Sequence, residues 1–199
     1  TLGNSGSPAQ TMYYKNPQIT GFSTGINFLD AYSSEKENIR YFNTRRPYSK
    51  VFFLMGSKEE QILNVKHTQN IGKPFNFGLD YTNITSAGYY QRQKTRGNNF
   101  HAHSHFETKN RFYGNFSNFI YHKNTVEENG GLYDNIFFEE GLEDRKDAIE
   151  ITLFNAYNTY KKNSWQLKQY LNFGKRDEVF DSEDSVQRKL VLPMVRLSH

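Results

Sequence analysis

Three histidines stand at alternate positions, His101, His103 and His105. Of all the residues in this sequence, their spacing is the most suggestive of a metal site. On a β-strand, alternate side chains leave the same face about 6.5–7 Å apart, so two imidazoles could share a metal ion and Glu107 could add a carboxylate. The alternative, which we favour, is a row of polar side chains beside water that titrate near neutral pH. We therefore expect no cofactor and no metal ion, and the three histidines are the candidate ligands if one binds.

No arrangement typical of catalysis accompanies these histidines. Ser104 stands between His103 and His105 and therefore points to the opposite face of a strand, which argues against a Ser–His pair there. Neither a glycine-rich phosphate loop nor a paired-carboxylate motif stands out. We predict that the protein is not an enzyme.

Composition narrows the class of protein. Hydrophobic residues make up 36% of the chain and aromatic residues 16%, and no run of about 18 apolar residues could form a membrane-spanning helix. The net charge of +4 is scattered rather than gathered in a run of like charges, so we expect no nucleic-acid partner. Cysteine is absent, which excludes disulfides and thiolate zinc sites.

Period-two alternation predicts the strands that would position these residues. The clearest strand runs from Phe75 to about Thr85, and the pattern repeats in 100–108, 149–160 and 164–174. Apolar residues occupy one face of each stretch and polar residues the other, as a sheet with one wet face requires. The stretch 111–122 is rich in Phe and Tyr on both faces, so its orientation stays open.

Connection lengths give a second, independent signal. The predicted connections alternate, short at 71–74, 109–111 and 161–163, and long at 86–99, 123–148 and 175–185. Short turns at one end of a sheet and long loops at the other are typical of outer-membrane barrels. The rhythm predicts about seven or eight strands, and both ends of the chain look cut. We therefore predict an all-β fold, an antiparallel transmembrane β-barrel of which this chain is a fragment.

The first 47 residues differ in character from the rest, because they are rich in glycine and proline and contain only one candidate strand, at 19–30. We place a boundary there. Residues 1–47 would form a plug or the first strands, and residues 48–199 would hold the barrel strands with their short turns and long loops.

A barrel would give the two faces of each strand different surroundings. The polar faces would line a lumen, and the predicted lumen set is Asn76, Asp80, Thr82, His101, His103, His105, Glu107, Glu150, Gln166 and Lys168. The apolar faces would meet lipid, and the predicted lipid-facing set is Phe75, Phe77, Leu79, Tyr81, Phe100, Phe106, Ile151, Leu153, Trp165 and Leu167. Scattered basic residues such as Arg40 and Arg46 could line a pore and favour anions, bind lipid phosphates, or simply be solvated.

Several short stretches stand out, including Leu2-Gly3-Asn4-x-Gly6-Ser7-Pro8, Tyr41-Phe42-Asn43-Thr44-x-Arg46-Pro47-Tyr48, Asn76-Phe77-Gly78-Leu79-Asp80-Tyr81 and Pro193-x-x-Arg196-x-Ser198-His199. These stretches resemble the putative porin family of Bacteroidetes outer-membrane β-barrel proteins. Each stretch alone is short, but in order they cover nearly the whole chain. The resemblance implies a longer barrel inserted in the bacterial outer membrane.

The resemblance and the strand pattern together lead to one expected function and two alternatives. We expect passive passage of small hydrophilic solutes, with outer-membrane lipid, lipopolysaccharide and envelope proteins as further partners. The first alternative is a non-conducting accessory barrel of an outer-membrane assembly or transport complex. The second is a soluble β-sandwich that binds glycans through exposed aromatic side chains.

Overall fold

The computed structural model describes residues 3–9, 12–13, 28–34, 39–134, 136, 146–181 and 186–199. Its strands are β1 Tyr48–Met55, β2 Gln61–Ile71, β3 Phe75–Ser86, β4 Thr95–Glu107, β5 Tyr113–Glu128, β6 Ala156–Asp181 and β7 Val186–Ser198. Two 3-10 helices, Asp30–Tyr32 and Lys146–Ala148, lie outside the sheet. No helix in the described part of the chain is long and apolar enough to cross a membrane.

The seven strands form a single sheet in which every strand pairs with its neighbours in sequence, and every pair is antiparallel. This up-and-down order confirms the predicted all-β antiparallel fold and the strand number. The sheet does not close on itself, since β1 and β7 stand at its two edges. An open meander of this kind is what a fragment of a larger barrel presents. The described strands form one sheet and not two packed sheets, so they give the β-sandwich alternative no support.

The two long connections lie at one end of the sheet, as predicted, but 56–60 at that end has five residues, the same number as 108–112 at the other end. At one end, which we call the turn end, β2 and β3 are joined by 72–74, and β4 and β5 by 108–112. At the other, the loop end, the connections are 56–60, 87–94 and 129–155. Hydrogen bonds link neighbouring loops there, including one from the Ala87 amide to the Lys58 carbonyl at 3.0 Å.

The predicted turn at 161–163 and the predicted long loop at 175–185 are wrong. β6 is a single strand of 26 residues that continues through both stretches as far as Asp181. Lys161, Lys162 and Asn163 pair with β5. Lysine and asparagine are common in turns, but they also occur in strands that have a polar face, so composition alone did not distinguish the two. Residues 182–185 lie outside the described part.

The predicted strand at 149–160 is also wrong over most of its length, because β6 begins only at Ala156. Three predicted site residues therefore lie in the long connection and on no strand face. Glu150 and Leu153 are exposed there, and Ile151 is buried in an isolated bridge to Leu132. Apolar residues that pack a long loop mimic the alternation of a strand.

The described residues before Tyr48 contain no strand, so they do not supply first strands of the sheet. The candidate strand at 19–30 falls largely outside the described residues, and its last residue, Asp30, begins a 3-10 helix. Instead, one face of the sheet is covered by residues 3–9, 28–34 and 39–44.

Two glycines make room for aromatic rings from the neighbouring strand. Gly78 of β3 stands opposite His103 of β4, and Gly114 of β5 stands opposite Tyr170 of β6. A Cβ built at Gly78 would overlap Cε1 and Nε2 of the His103 ring, and one at Gly114 would overlap the Tyr170 ring. In both pairs the aromatic ring lies over the glycine backbone, in the space that a side chain at the glycine would otherwise occupy.

We predict that Gly78→Ala destabilises the sheet by about 1–3 kcal/mol, because the His103 ring must move and it is packed against other rings. Gly97→Ala in β4 is the matched control, since a Cβ there meets its nearest atom, Cβ of Ile84, at 3.7 Å. The free energy of unfolding of the reconstituted protein, measured by denaturant titration, would decide. Equal stability of the two variants would show that the glycine at 78 is not needed by the ring.

Candidate functional site

The sheet has two faces of opposite chemical character. One, which we call the polar face, carries residues such as Asp80, His101 and Asn118; the other, the outer face, carries residues such as Leu79 and Trp165. Most buried side chains of the polar face are polar, with Asn124 at 0%, His122 at 1% and Asn118 at 2% exposure, although Ile120 and Val126 are buried there as well. On the outer face large apolar side chains are exposed, with Trp165 at 70% and Leu79 at 41%.

This arrangement inverts that of a water-soluble domain, where large apolar side chains are inside and unpaired polar ones outside. An apolar face left exposed across a whole sheet marks contact with lipid or with another protein. Strands that are apolar on the outward side and polar on the inward side are typical of membrane barrels.

Strand register brings the sequence-predicted sets together, apart from the three residues already corrected. The members of the lumen set that share the polar face are Asn76, Asp80, Thr82, His101, His103, His105, Glu107, Gln166 and Lys168. The members of the lipid-facing set that share the outer face are Phe75, Phe77, Leu79, Tyr81, Phe100, Phe106, Trp165 and Leu167. That these faces meet water and lipid respectively stays a prediction.

Sequence reasoning missed several buried members of the polar face. Asn118, His122 and Asn124 of β5 were obscured by the aromatic residues on both faces of this stretch. Lys66 of β2 was missed as well, although it stands opposite Asp80. The signal that could have found the β5 residues is the set of polar side chains at even positions 118, 122 and 124, which Ile120 interrupts.

An ion pair and an amide connect β2 to β3 on the polar face. Nζ of Lys66 lies 2.8 Å from Oδ2 of Asp80. Nδ2 of Asn64 donates to the other oxygen of Asp80 at 2.9 Å and to Oγ1 of Thr82 at 2.8 Å. Both carboxylate oxygens of Asp80 are therefore engaged, which allows the charge to be held away from bulk water.

The three alternate histidines do not converge on one point. The rings of His101 and His103 stack with centroids 5.0 Å apart, while His105 stacks on Phe116 at 4.4 Å. Glu107, the carboxylate that could have joined them, accepts a hydrogen bond from the Tyr170 hydroxyl at 2.8 Å. Within the described residues, no group of three or more His, Cys, Asp or Glu side chains is arranged to hold a metal ion.

A second polar cluster links the last strands near the turn end. The guanidinium of Arg196 lies 4.7 Å from the centre of the Tyr170 ring, and Nε of Arg196 donates to Oδ1 of Asn172 at 2.8 Å. Nδ2 of Asn172 in turn donates to the Arg111 carbonyl. These contacts connect the β4–β5 turn, through the Arg111 carbonyl, to Tyr170 and Asn172 of β6 and to Arg196 of β7.

The segment before β1 lies along the polar face and contacts β4 at three levels. The hydroxyl of Thr95 donates to the Ser5 carbonyl, and the Asn99 amide donates to the Tyr32 carbonyl at 3.1 Å. Further along β4, the ring of His103 contacts the ring of Tyr41 edge-on at 5.6 Å. These levels are four residues apart on one strand, so the segment follows the sheet from the loop end toward the turn end.

Asparagines on other strands hold the same segment. The buried amide of Asn124 donates to the Gly6 carbonyl at 3.0 Å, and that of Asn118 donates to the Tyr41 hydroxyl at 3.0 Å. On β2, Oδ1 of Asn70 accepts from the Thr44 amide at 3.1 Å. A cavity of about 280 Å³ remains between this segment and the sheet, beside His101 and His103.

The open antiparallel meander of seven strands is the sheet of a β-barrel fragment. The model of the family described as "Putative porin" matches residues 1–199 of the sequence, and the chain belongs to this family. The family assignment supports, in general terms, a porin-like role and an outer-membrane location. No curated protein and no solved structure gives a significant match.

We predict that Asn124→Leu loosens the segment that covers the polar face. The substitution leaves the Gly6 carbonyl without its donor, a loss of about 1–3 kcal/mol, which should raise the rate of proteolytic cleavage within residues 1–47 by about tenfold. Asn115→Leu is the matched control on the outer face of the same strand. Cleavage of Asn124→Leu at the wild-type rate would mean that this hydrogen bond does not anchor the segment.

Proposed function

We propose that the protein is part of an outer-membrane barrel through which small hydrophilic solutes pass passively. The observation that supports this function best is the inverted polarity of the sheet, with buried Asn124 and His122 on one face and exposed Trp165 and Leu79 on the other. In lipid, backbone groups must be satisfied within the protein, and antiparallel strands satisfy them through their neighbours. The part of the polar face that the preceding segment leaves uncovered is then free to line water.

The proposed partners follow from the two faces. Outer-membrane lipid and lipopolysaccharide would cover the outer face, where Leu79, Phe119 and Leu167 are partly exposed and Trp165 is largely so. Aromatic side chains at such a surface suit the level of the lipid headgroups. Small hydrophilic solutes would meet the amides, imidazoles and hydroxyls of the polar face.

A second function, a non-conducting accessory barrel in an envelope complex, is favoured by a different observation. Thr95, Asn99 and Asn124 hold residues 3–9 and 28–34 against the polar face. Asn118 and Asn70 hold residues 39–44 there. A segment held in this way narrows whatever lumen the sheet encloses. The two functions therefore differ in whether a solute can pass beside the segment.

Replacing Leu79 by Arg should weaken insertion into lipid vesicles by about 2–4 kcal/mol, because a charge on the lipid face near mid-membrane is costly. Thr82→Arg is the control, since position 82 lies on the polar face of the same strand. Denaturant titrations of folding into vesicles would measure both. If Leu79→Arg inserts as well as Thr82→Arg, the two faces are assigned the wrong way round.

Vesicles that contain the full-length protein should swell in an isotonic monosaccharide and stay unswollen in a large dextran. Protein-free vesicles are the control, and planar bilayers should show stepwise ion conductance from the same preparation. Passive diffusion through the lumen predicts both results. A folded, inserted protein that admits neither ions nor monosaccharide would contradict passage and support the accessory barrel.

A further inference from the structure

Basic side chains on the outer face are gathered in one corner near the loop end. Along the described strands β3 to β5, and along β6 as far as Leu171, the basic residues on this face are Arg96, Lys123 and Lys161. The single acidic residue at the same positions is Glu127, and Oε1 of its carboxylate lies 3.7 Å from Nη1 of Arg92. The corner is therefore positively charged.

Two of these cations stand directly opposite each other. Lys123 of β5 pairs with Lys161 of β6, and the Cβ atoms of such a pair are about 4.5–5.5 Å apart. Arg96 stands opposite Thr125, which makes it a diagonal neighbour of Lys123 at about 7–8 Å. Within the described residues none of the three cations forms a salt bridge. Like charges placed in this way destabilise a sheet, and an anion from outside the chain relieves their repulsion.

The polar group next to the lysines also presents donors. Asn98 stands opposite Lys123, and its Oδ1 accepts from Nδ2 of Asn83 at 2.8 Å and from the Tyr81 hydroxyl at 3.0 Å. The amide nitrogen of Asn98 is left as a donor. Ammonium, guanidinium and amide groups all donate, whereas an ionised phosphate accepts through several oxygens. The corner thus matches the hydrogen bonding of a phosphate.

The position of the corner indicates that this phosphate belongs to a lipid. On β5 the outer face changes from Phe119 and Tyr121 to Lys123, and on β6 it changes from Trp165 to Lys161. Tyrosine and tryptophan rings lie at the level of the headgroups in membrane barrels. In the proposed membrane orientation, the cations therefore stand at the edge of the hydrocarbon core, at the depth of the headgroup phosphates.

The spacing of the cations fits a headgroup with more than one phosphate. Neighbouring strands are about 4.8 Å apart, so one phosphate can contact both Lys123 and Lys161. Arg96 is one strand further away, where a second phosphate of the same headgroup would contact its guanidinium. Long loops face outward in outer-membrane barrels, which puts the corner in the leaflet that contains lipopolysaccharide, whose sugars carry phosphates.

We infer that Arg96, Lys123 and Lys161 bind the phosphorylated headgroup of one lipopolysaccharide molecule, with one phosphate between the two lysines and another at the arginine. The inference rests on the proposed function for the presence of lipid at the outer face. It gives that lipid a site and a headgroup chemistry. It needs no open lumen.

Native mass spectrometry of the full-length protein in a nonionic detergent tests the inference, because the mass of each adduct identifies the bound lipid. The probes are lipid A with two phosphates, the same lipid without phosphates, and phosphatidylglycerol, with inorganic phosphate as a competitor. We expect bisphosphorylated lipid A to bind at least about tenfold more tightly than the other two lipids, because they lose one or both anionic groups. Equal or tighter binding of either of them, or displacement of lipid A by an equal concentration of inorganic phosphate, would overturn the inference.

Variants without the lysine charges locate the site. The double variant Lys123→Gln and Lys161→Gln should bind bisphosphorylated lipid A about 25-fold more weakly, at about fivefold for each lysine. Lys162→Gln is the matched control, since it removes the same charge from the polar face of the same strand, and it should bind like the wild type. Wild-type affinity in the double variant, or an equal loss in Lys162→Gln, would show that the phosphates bind elsewhere.

The repulsion between the two lysines gives a second readout, whose sign depends on the lipid. In vesicles of a zwitterionic lipid, Lys161→Gln should unfold at a higher denaturant concentration than the wild type, because one of two like charges is gone. In vesicles that contain bisphosphorylated lipid A, the same variant should unfold at a lower concentration than the wild type. A change of the same sign in both vesicles would contradict an anion between the lysines.

The outcomes separate this inference from the proposed function. Swelling of vesicles, with no preference for the phosphorylated lipid, would leave the passage standing and remove the site. Lipid A binding that depends on Lys123 and Lys161, in a protein closed to ions, would keep the site and remove the passage.

Discussion

The pairing of backbone groups between neighbouring antiparallel strands is the interaction on which the rest of this structure depends. Each of β2 to β5 pairs with a sequence neighbour on both sides, while β1 and β7 pair on one side only, and this pairing holds the strands in register. Side chains are then free to sort by face according to surroundings. The sheet leaves Trp165 70% exposed on one face and buries Asn124 completely on the other.

Buried asparagine is what makes the polar face compatible with a second layer of chain. An amide side chain carries donors and an acceptor in one small group, so it can bond to its own sheet and to a covering segment. Asn70 and Asn118 both do this: Asn118 reaches Gln166 on β6 and Tyr41 on the segment. A segment without regular structure can therefore lie over a sheet without leaving its carbonyl groups unpaired.

Alternation predicted β3 well, because apolar and polar residues alternate from Phe75 to Thr82. It predicted only the second part of β4, because that strand begins at Thr95, inside the predicted loop 86–99, where Arg96 to Asn99 carry no apolar side chain. It failed at 161–163, where Lys161 and Lys162 resemble a turn by composition although they pair with β5. It failed at 149–155 because Ile149 and Ile151 pack a loop. The cavity could not be predicted at all, since it depends on contacts between Phe42 and His103, which are 61 positions apart in the sequence.

The 26 residues of β6 have a geometric consequence. At about 3.3 Å per residue the strand is about 85 Å long, whereas a bilayer's hydrocarbon core is about 30 Å thick. Even at a tilt of about 45°, such a strand crosses the core with only about half of its length. In the proposed membrane orientation, the remainder must stand in water as a two-stranded ribbon that extends the barrel wall. β6 pairs with β5 along 156–171 and with β7 along 170–181. It therefore changes its pairing partner near Tyr170, whose side chain contacts Glu107 and Arg196.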